Sequence, residues 1–234
     1  MALRLDGRPV GDVMVVQCIG RIVAGADVHS LQFLIEKVLP RHHEIVLQLE
    51  KIEFIDSSGL GALVRLSSTA RASGGDLKLC ALPQAVRKTL EMMNLITLFE
   101  VYDSEAEAIV AAYLGPRYSK DKDGEKQLRI LCVYDSADVR ALLGEVLCRA
   151  GYRAVTTGNV HDAGILLKAT KAKLVVLGAN MQSVHGASTK KAMEGIDPAV
   201  SLVVLDEGFG AQDPGEAAMK LLETIRSRTT GTAA

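Results

Sequence analysis

The stretch FIDSSGLGALVRL, Phe54–Leu66, decides how the first half of this chain folds. The residues before it, EIVLQLEKIE, begin with a continuous apolar run, which is typical of a strand buried on both faces of a sheet. After Asp56 the apolar residues recur at helical spacing as far as Ser73, and the pair Gly74-Gly75 follows. The pattern therefore predicts a strand that ends at Asp56 and a helix that begins near Gly59.

Two serines, Ser57 and Ser58, lie at this junction, and the residues alone leave two interpretations open. A hydroxyl in the turn or at the N-cap can accept a hydrogen bond from the free N–H groups of the first helical turn, which is a purely structural role. However, Gly59 and Gly61 each cost a helix about 1 kcal/mol relative to alanine, which capping does not require. We interpret the glycines as keeping the turn bare, so that the Ser57 hydroxyl is exposed and another protein can approach closely.

Length and composition limit the classes of function. A chain of 234 residues fits two small domains. With 27 basic and 28 acidic residues the net charge is −1, so we expect no nucleic-acid partner and no anionic membrane surface. No apolar run reaches the roughly 18 to 20 residues that span a bilayer, and no signal peptide is recognisable, which predicts a cytoplasmic protein.

No constellation of residues predicts a metal or cofactor. The cysteines are far apart, and none has a second cysteine or a histidine at metal-ligand spacing. We expect all four to be buried free thiols: Cys18, Cys80, Cys132 and Cys148.

Apolar periodicity stops between residues 114 and 127, where Gly, Pro, Lys and Asp dominate, so this segment is predicted to be a linker. In residues 1–113 strands alternate with helices, which predicts an α/β fold with helices packed on a mixed sheet. Residues 128–234 contain four apolar strands separated by helices, and repeated βα units imply a parallel sheet.

The first segment resembles a known family. The motif DSSGLG follows the strand IVLQLEKIEFI, GRI precedes both, and GGDLKLCALPQAVRKTLEMMNL comes after them. Over about residues 3–113 this resembles the STAS domain of bacterial anti-sigma factor antagonists. The resemblance implies that a partner serine kinase, itself the anti-sigma factor, binds the turn, phosphorylates Ser57 and is then released. One departure is Val23, where many members carry an acidic residue. The predicted partner-binding residues are Asp56, Ser57, Ser58, Gly59, Leu60 and Gly61.

The second segment, about residues 127–206, resembles a response-regulator receiver domain, which has a flavodoxin-like parallel α/β fold. The quoted likeness lies in LRILCVYDSADVRALLGEVLCRAGYRAVTTGN. An active receiver needs two acids after its first strand, an aspartate acceptor after the third and a hydroxyl residue after the fourth, and its carboxylates hold Mg²⁺. Here those positions are Tyr134, Asp135, Gly178 and Asp206.

The departures imply that this second domain takes no aspartyl phosphate and holds no metal. Too few residues follow Asp206 for the usual fifth strand, so the resemblance implies a truncated sheet with an edge to cover. Dimerisation through this domain, or docking of a partner, is the use we expect of it.

Three hypotheses follow for the whole chain. The leading one is a signalling adaptor, not an enzyme, switched at Ser57. The alternative is a STAS scaffold that is never phosphorylated and serves in an oligomeric signalling assembly. A third, an enzyme with Ser57 as nucleophile, has little support, since the sequence contains no GxSxG elbow and no histidine in a context that marks a base.

Overall fold

A computed structural model describes residues 1–114, 127–184, 187–211 and 214–230. The chain divides into two compact units, residues 1–119 and 120–234. The predicted linker, 114–127, lies almost wholly outside the described residues. No helix of the described residues is both long and apolar enough to cross a membrane.

The first unit is built on a five-stranded mixed sheet in the order β1-β2-β3-β4-β5, in which β1 and β2 are antiparallel and the other neighbours are parallel. The strands are β1 (Arg4–Val10), β2 (Val13–Ile22), β3 (Glu44–Ile55), β4 (Asp76–Cys80) and β5 (Glu100–Tyr102). The helices are α1 (Ala26–Val38), α2 (Ser57–Ala72), α3 (Gln84–Met92) and α4 (Glu105–Leu114), with a 3-10 turn at Ile96–Leu98. The mixed sheet with packed helices confirms the fold predicted for this segment.

Helices cover both faces of this sheet. Alternate residues of β3, such as Ile45 and Leu47, join one buried cluster with residues of α1, α2 and α3. Helix α4 packs on the opposite face, where Glu105 pairs with Arg8. The hydroxyl of Tyr113 accepts from the N–H of Asp12 at 2.8 Å, which ties α4 to the β1–β2 turn. Because both faces are covered, β3 can be apolar almost throughout its first half.

The second unit contains a four-stranded, all-parallel sheet, which confirms the parallel sheet predicted for this segment, and a short antiparallel pair of β9 and β10. The order of the parallel strands is β11-β8-β6-β7. The strands are β6 (Arg129–Val133), β7 (Arg153–Thr157), β8 (Leu174–Leu177), β9 (Ser183–Val184), β10 (Ala187–Ser188) and β11 (Ser201–Val204). The helices are α5 (Ala137–Arg149), α6 (Val160–Thr170), α7 (Thr189–Ile196) and α8 (Pro214–Thr230), with 3-10 turns at Ala179–Met181 and Phe209–Ala211.

Strand β11 is an edge of the second sheet, and no fifth parallel strand is present in the described parts of this unit. Helix α8 buries Ala217, Leu221 and Ile225 in the same core cluster as residues of β6 and α5. The Arg228 side chain donates to the carbonyl of Leu202 in β11 at 3.1 Å. The last helix therefore covers part of the edge.

One cysteine prediction was wrong. Three thiols are buried, and burial raises the pKa of Cys18, Cys80 and Cys132 to about 12 in each case. Cys148 is exposed, because it lies on the outer side of α5, whose inner side is formed by Val139, Leu143 and Leu147.

Candidate functional site at the end of β3

Asp56 is the residue that joins β3 to α2. It adopts an extended conformation, with φ −94° and ψ 178°, and its carboxylate accepts from the N–H of Gly59 at 2.7 Å. Its carbonyl accepts the N–H of Leu60 at 2.9 Å. Asp56 is therefore the N-cap of α2, and the prediction that Ser57 or Ser58 caps this helix was wrong. The helix begins at Ser57, two residues earlier than expected.

The second carboxylate oxygen of Asp56 reaches another segment. It accepts from the N–H of Ala24 at 2.9 Å, in the loop that follows β2. The N–H of Asp56 donates to the carbonyl of Ile22 at 3.2 Å. The bonds that the carboxylate accepts, that from Ala24 first and then that from Gly59, favour its charged form and lower the pKa of the Asp56 carboxyl. One ionised side chain thus holds the loop after β2 and the start of α2 together.

Gly59 packs against the interior of the first domain. It is buried, and a methyl group on its Cα would collide with the carbonyl oxygen of Ile22 and lie 2.8 Å from Cγ1 of Ile55. The interpretation of this glycine as part of a bare outer surface was wrong. Leu60 is also buried, in the cluster under α2. Two of the six predicted partner-binding residues therefore face the protein's own core.

Gly61 matches the interpretation made for both glycines. It is exposed, and nothing lies within 4 Å of a methyl group placed on its Cα. Residues four apart share one face of a helix, so Gly61 lies on the same face as Ser57. The packing of the domain therefore does not require a glycine at position 61.

Ser57 and Ser58 are both exposed in the first turn of α2. Within residues 1–114 neither hydroxyl has a hydrogen-bond partner. The Gly59 N–H that an N-terminal hydroxyl would bind is already taken by Asp56. The hydroxyls are consequently free to react with, or bind to, something outside the domain.

An exposed aromatic residue lies beside this turn. Phe54, the second-last residue of β3, has 54% of its surface exposed. In the sheet it pairs with Arg21 of β2, which is also exposed. The buried apolar run predicted for this strand covers only its start. Strand β4 pairs with β3 only as far as Gln48, so the rest of β3, including Phe54, lacks that neighbour.

The structure also places the four receiver-like positions. Asp135 and Asp206 are exposed at the ends of β6 and β11, whereas Tyr134 and Gly178 are buried directly after β6 and β8. The described residues contain no group of three or more His, Cys, Asp or Glu side chains arranged to hold a metal ion. Among the described residues no carboxylate cluster forms at this edge of the sheet, and the Tyr134 ring occupies part of it.

The first domain matches known proteins. The STAS domain family model matches residues 7–108. A putative anti-sigma factor antagonist of Bordetella bronchiseptica, BtrV, is 30% identical over 103 residues, which are 44% of this chain and 88% of that protein. The anti-sigma F factor antagonist of Paenibacillus polymyxa is 34% identical over 65 residues, 28% of this chain and 56% of that protein, so this match spans little more than half of the relative's length.

A solved structure is similar as well, the crystal structure of an anti-sigma factor antagonist from Mycobacterium paratuberculosis. It is 21% identical, with 47% of this chain and 94% of that chain covered and a TM-score of 0.44. On the sequence matches, the chain belongs to the STAS-domain family of anti-sigma factor antagonists.

Proposed function

We propose that this chain is an anti-sigma factor antagonist that works in the cytoplasm by partner switching, with Ser57 as its switch. In its unmodified form it binds an anti-sigma factor that is also a serine kinase. Phosphorylation of Ser57 by that kinase ends the contact. The observation that carries the proposal is the exposed Ser57 hydroxyl, which has no hydrogen-bond partner among residues 1–114. It lies at the first helical position, beside Asp56, whose two carboxylate oxygens are both bonded to backbone N–H groups.

The surroundings of Ser57 explain why a phosphate there acts on the partner and not on the fold. It adds about 1.5 to 2 negative charges next to the ionised Asp56. The N–H groups of Gly59 and Leu60 are already bonded to Asp56 and are not available to the phosphate. The turn therefore keeps its conformation when Ser57 is phosphorylated. The helix N-terminus offsets the new charge by roughly 0.3 to 1 kcal/mol. A partner surface that had to bury this dianion without a matching cation would be expelled.

The accessible part of the proposed contact consists of Asp56, Ser57, Ser58 and Gly61. Asp56 is a positioning residue, since its carboxylate is occupied by Gly59 and Ala24. Gly61 lets the partner approach the face of α2 that carries Ser57. An enzymatic role for Ser57 has no comparable support, because its hydroxyl is bonded to no histidine or carboxylate among residues 1–114.

We propose further that the second domain is a receiver-like module that no longer takes a phosphoryl group. Its strand order, counted from β6, is 2-1-3-4, which is the order of flavodoxin-like sheets without the fifth strand. At the acceptor position Gly178 has no side chain and therefore no carboxylate to accept a phosphoryl group. The edge at β11, which α8 covers only in part, supports a role in dimerisation or docking, since Val204 is 45% exposed and the N–H groups of Leu202 and Val204 point away from β8.

The test of the switch uses the full chain and its serine variants. Intact mass of protein isolated from its host should show an addition of about 80 Da, the mass of one phosphoryl group, in wild type and in Ser58→Ala but not in Ser57→Ala. The kinase retained on immobilised wild type and Ser57→Ala should be lost on Ser57→Asp. Equal retention on Ser57→Ala and Ser57→Asp, or an addition that persists in Ser57→Ala, would contradict the proposal.

The scaffold alternative predicts a different result in the same experiment. No variant then carries the added mass, and self-association is the activity to measure. Sedimentation of the full chain and of Val204→Lys tests the edge of the second sheet: if β11 is the dimer contact, the variant sediments as a monomer at concentrations where wild type is dimeric.

A further inference from the structure

The carboxyl edge of the second sheet is where a fold of this kind holds its ligand. From β6 the chain passes to β7 on one side, and β8 then lies on the other side of β6. In open α/β sheets the crevice at such a reversal of strand order is the usual binding site. Tyr134 directly follows β6, and Gly178 directly follows β8. These two residues therefore lie on either side of the crevice.

The ring of Tyr134 lies against Gly178. A methyl group on the Cα of Gly178 would lie 2.7 Å from Cδ2 and 3.0 Å from Cε2 of Tyr134. The backbone on both sides is fixed, since Gly178 donates its N–H to the carbonyl of Val133 at 2.9 Å and Tyr134 donates to the carbonyl of Thr157 at 3.1 Å. The ring and a side chain at position 178 cannot occupy this space together.

The backbone at Gly178 does not itself call for glycine. Its φ of −63° and ψ of 147° are accessible to every L-amino acid. Space, not conformation, accounts for the missing side chain. Gly178 and Tyr134 are thus a matched pair, in which the small residue makes room for the large one.

The far end of the ring reaches a third segment. A methyl group on Gly210 would lie 3.5 Å from the Tyr134 hydroxyl and 3.2 Å from Cγ2 of Val139. Gly210 belongs to the 3-10 turn Phe209–Ala211, and Leu205 and Phe209 share the buried cluster of Tyr134. Tyr134 has only 8% of its surface exposed. Its ring therefore spans the crevice from the end of β8 to the segment that follows β11.

We propose that Tyr134 is a built-in plug, which fills the ligand crevice of the second domain and holds residues 205–211 in one arrangement. Because the Tyr134 side chain occupies the place of a ligand, the domain stays in one conformation. This inference does not rest on the switch at Ser57. It concerns a different domain and holds whether or not Ser57 is phosphorylated.

Hydrogen exchange of the full chain, measured by mass spectrometry, tests the matched pair. The proteins are wild type, Tyr134→Phe, Tyr134→Ala, Gly178→Ala and the double variant Tyr134→Ala/Gly178→Ala, and peptides of residues 1–114 serve as the internal control. Gly178→Ala should speed exchange of residues 205–211 by at least about tenfold when Tyr134 is present, and by much less in the Tyr134→Ala background. Tyr134→Phe keeps the ring and should exchange like wild type.

A chemical guest tests the plug directly. Tyr134→Ala leaves a cavity lined by apolar side chains, and such cavities bind small aromatic molecules. Millimolar 4-methylphenol, the side chain of tyrosine as a free molecule, should slow exchange of residues 205–211 in Tyr134→Ala towards the wild-type rate and leave wild type unchanged. The proposal is overturned if Gly178→Ala has the same effect in both backgrounds, or if 4-methylphenol protects wild type as much as Tyr134→Ala.

Loss of folding in Tyr134→Ala does not end the test. Tyr134→Leu retains apolar volume in the core but has no ring to oppose position 178, and it supplies the second background for Gly178→Ala. A smaller effect of Gly178→Ala in that background supports the plug, and an equal effect overturns it.

Discussion

The central strands of the two domains, β3 and β6, end differently: polar side chains are exposed after β3, and an aromatic ring is buried after β6. In the first, β3 runs into a turn whose carboxylate is fully bonded and whose hydroxyls at Ser57 and Ser58 are exposed. In the second, β6 runs into Tyr134, whose ring is buried against Gly178. In each domain a glycine is required by close packing: Gly59, two residues into α2, lies against a carbonyl, and Gly178, directly after the neighbouring strand β8, lies against the ring. The first packing arrangement leaves reactive groups outside, and the second closes the site.

This difference shows that a glycine at the end of a strand does not by itself indicate an open site. What matters is which atom occupies the space that the missing side chain leaves. Because Gly59 has no side chain, the start of α2 lies close to the Ile22 carbonyl, and the first two residues of the helix, Ser57 and Ser58, are exposed. An aromatic ring over Gly178 fills the space where a ligand would bind. The following predictions test this comparison.

The largest effect is expected for Gly59→Ala. Its methyl group would collide with the carbonyl of Ile22, which also accepts the N–H of Asp56, so relief of the collision breaks the turn. The free energy of unfolding of the first domain should fall by about 3 kcal/mol or more, at or beyond the upper end for an overpacked site. Calorimetry of the full chain measures it, with Gly61→Ala as the matched control. Similar stability of the two variants would show that Gly59 is not packed as described.

The next largest effect is expected from removal of an N-cap, and the loss of stability should differ between the two domains. Asp56→Ala loses two hydrogen bonds, to Gly59 and to Ala24, and frees the loop after β2. Ser136→Ala loses one long bond, 3.4 Å, to the N–H of Val139 at the start of α5. We expect about 0.5 kcal/mol for Ser136→Ala, the low end for a cap, and a clearly larger loss for Asp56→Ala. Domain-resolved hydrogen exchange gives both values, and a reversed order would contradict the bonding of Asp56.

The ionised state of Asp56 should appear in the pH dependence of stability. Its pKa in the folded protein is lowered, chiefly by the bond from Ala24, below the value of about 3.9 for an unfolded aspartate. Its contribution is therefore present above pH 4 and is lost as the pH falls through the folded pKa. The difference in melting temperature between wild type and Asp56→Asn should be constant from pH 7 to 5 and shrink below pH 4. A difference that does not change with pH would mean that charge plays no part in the turn.

Among the substitutions at the end of β3, Gly61→Ala is expected to disturb the fold least. Position 61 is open, so alanine should stabilise α2 by about 0.5 to 1 kcal/mol through its better helix propensity. If the partner approaches this face, the same change should weaken its binding while Ser57 stays intact. Titration calorimetry with the kinase identified by the Ser57 experiment measures this, and unchanged affinity would remove Gly61 from the contact.

Much of the first domain could be predicted because its signals are local. Apolar runs and Gly-Gly breaks predicted strands and helices that the structure confirms, with α2 beginning two residues early. The early start follows from Asp56, whose preference for the cap over Ser57 depends on a second bond to Ala24, 32 residues away in the chain. Met93 continues the helical spacing of Val86 and Leu90, which are buried, but it is 56% exposed because the helix ends at Met92.

The sequence by itself determined the α/β class, the mixed and the parallel sheet, the motif that identifies the family and the position of Ser57, since all of these depend on periodicity and on residues close together in the chain. Only the tertiary structure decided that Gly59 faces inward and Gly61 outward, that Phe54 is exposed, and that Tyr134 fills the space over Gly178. These facts depend on contacts between segments that are far apart in the chain, and local residue patterns do not specify such contacts.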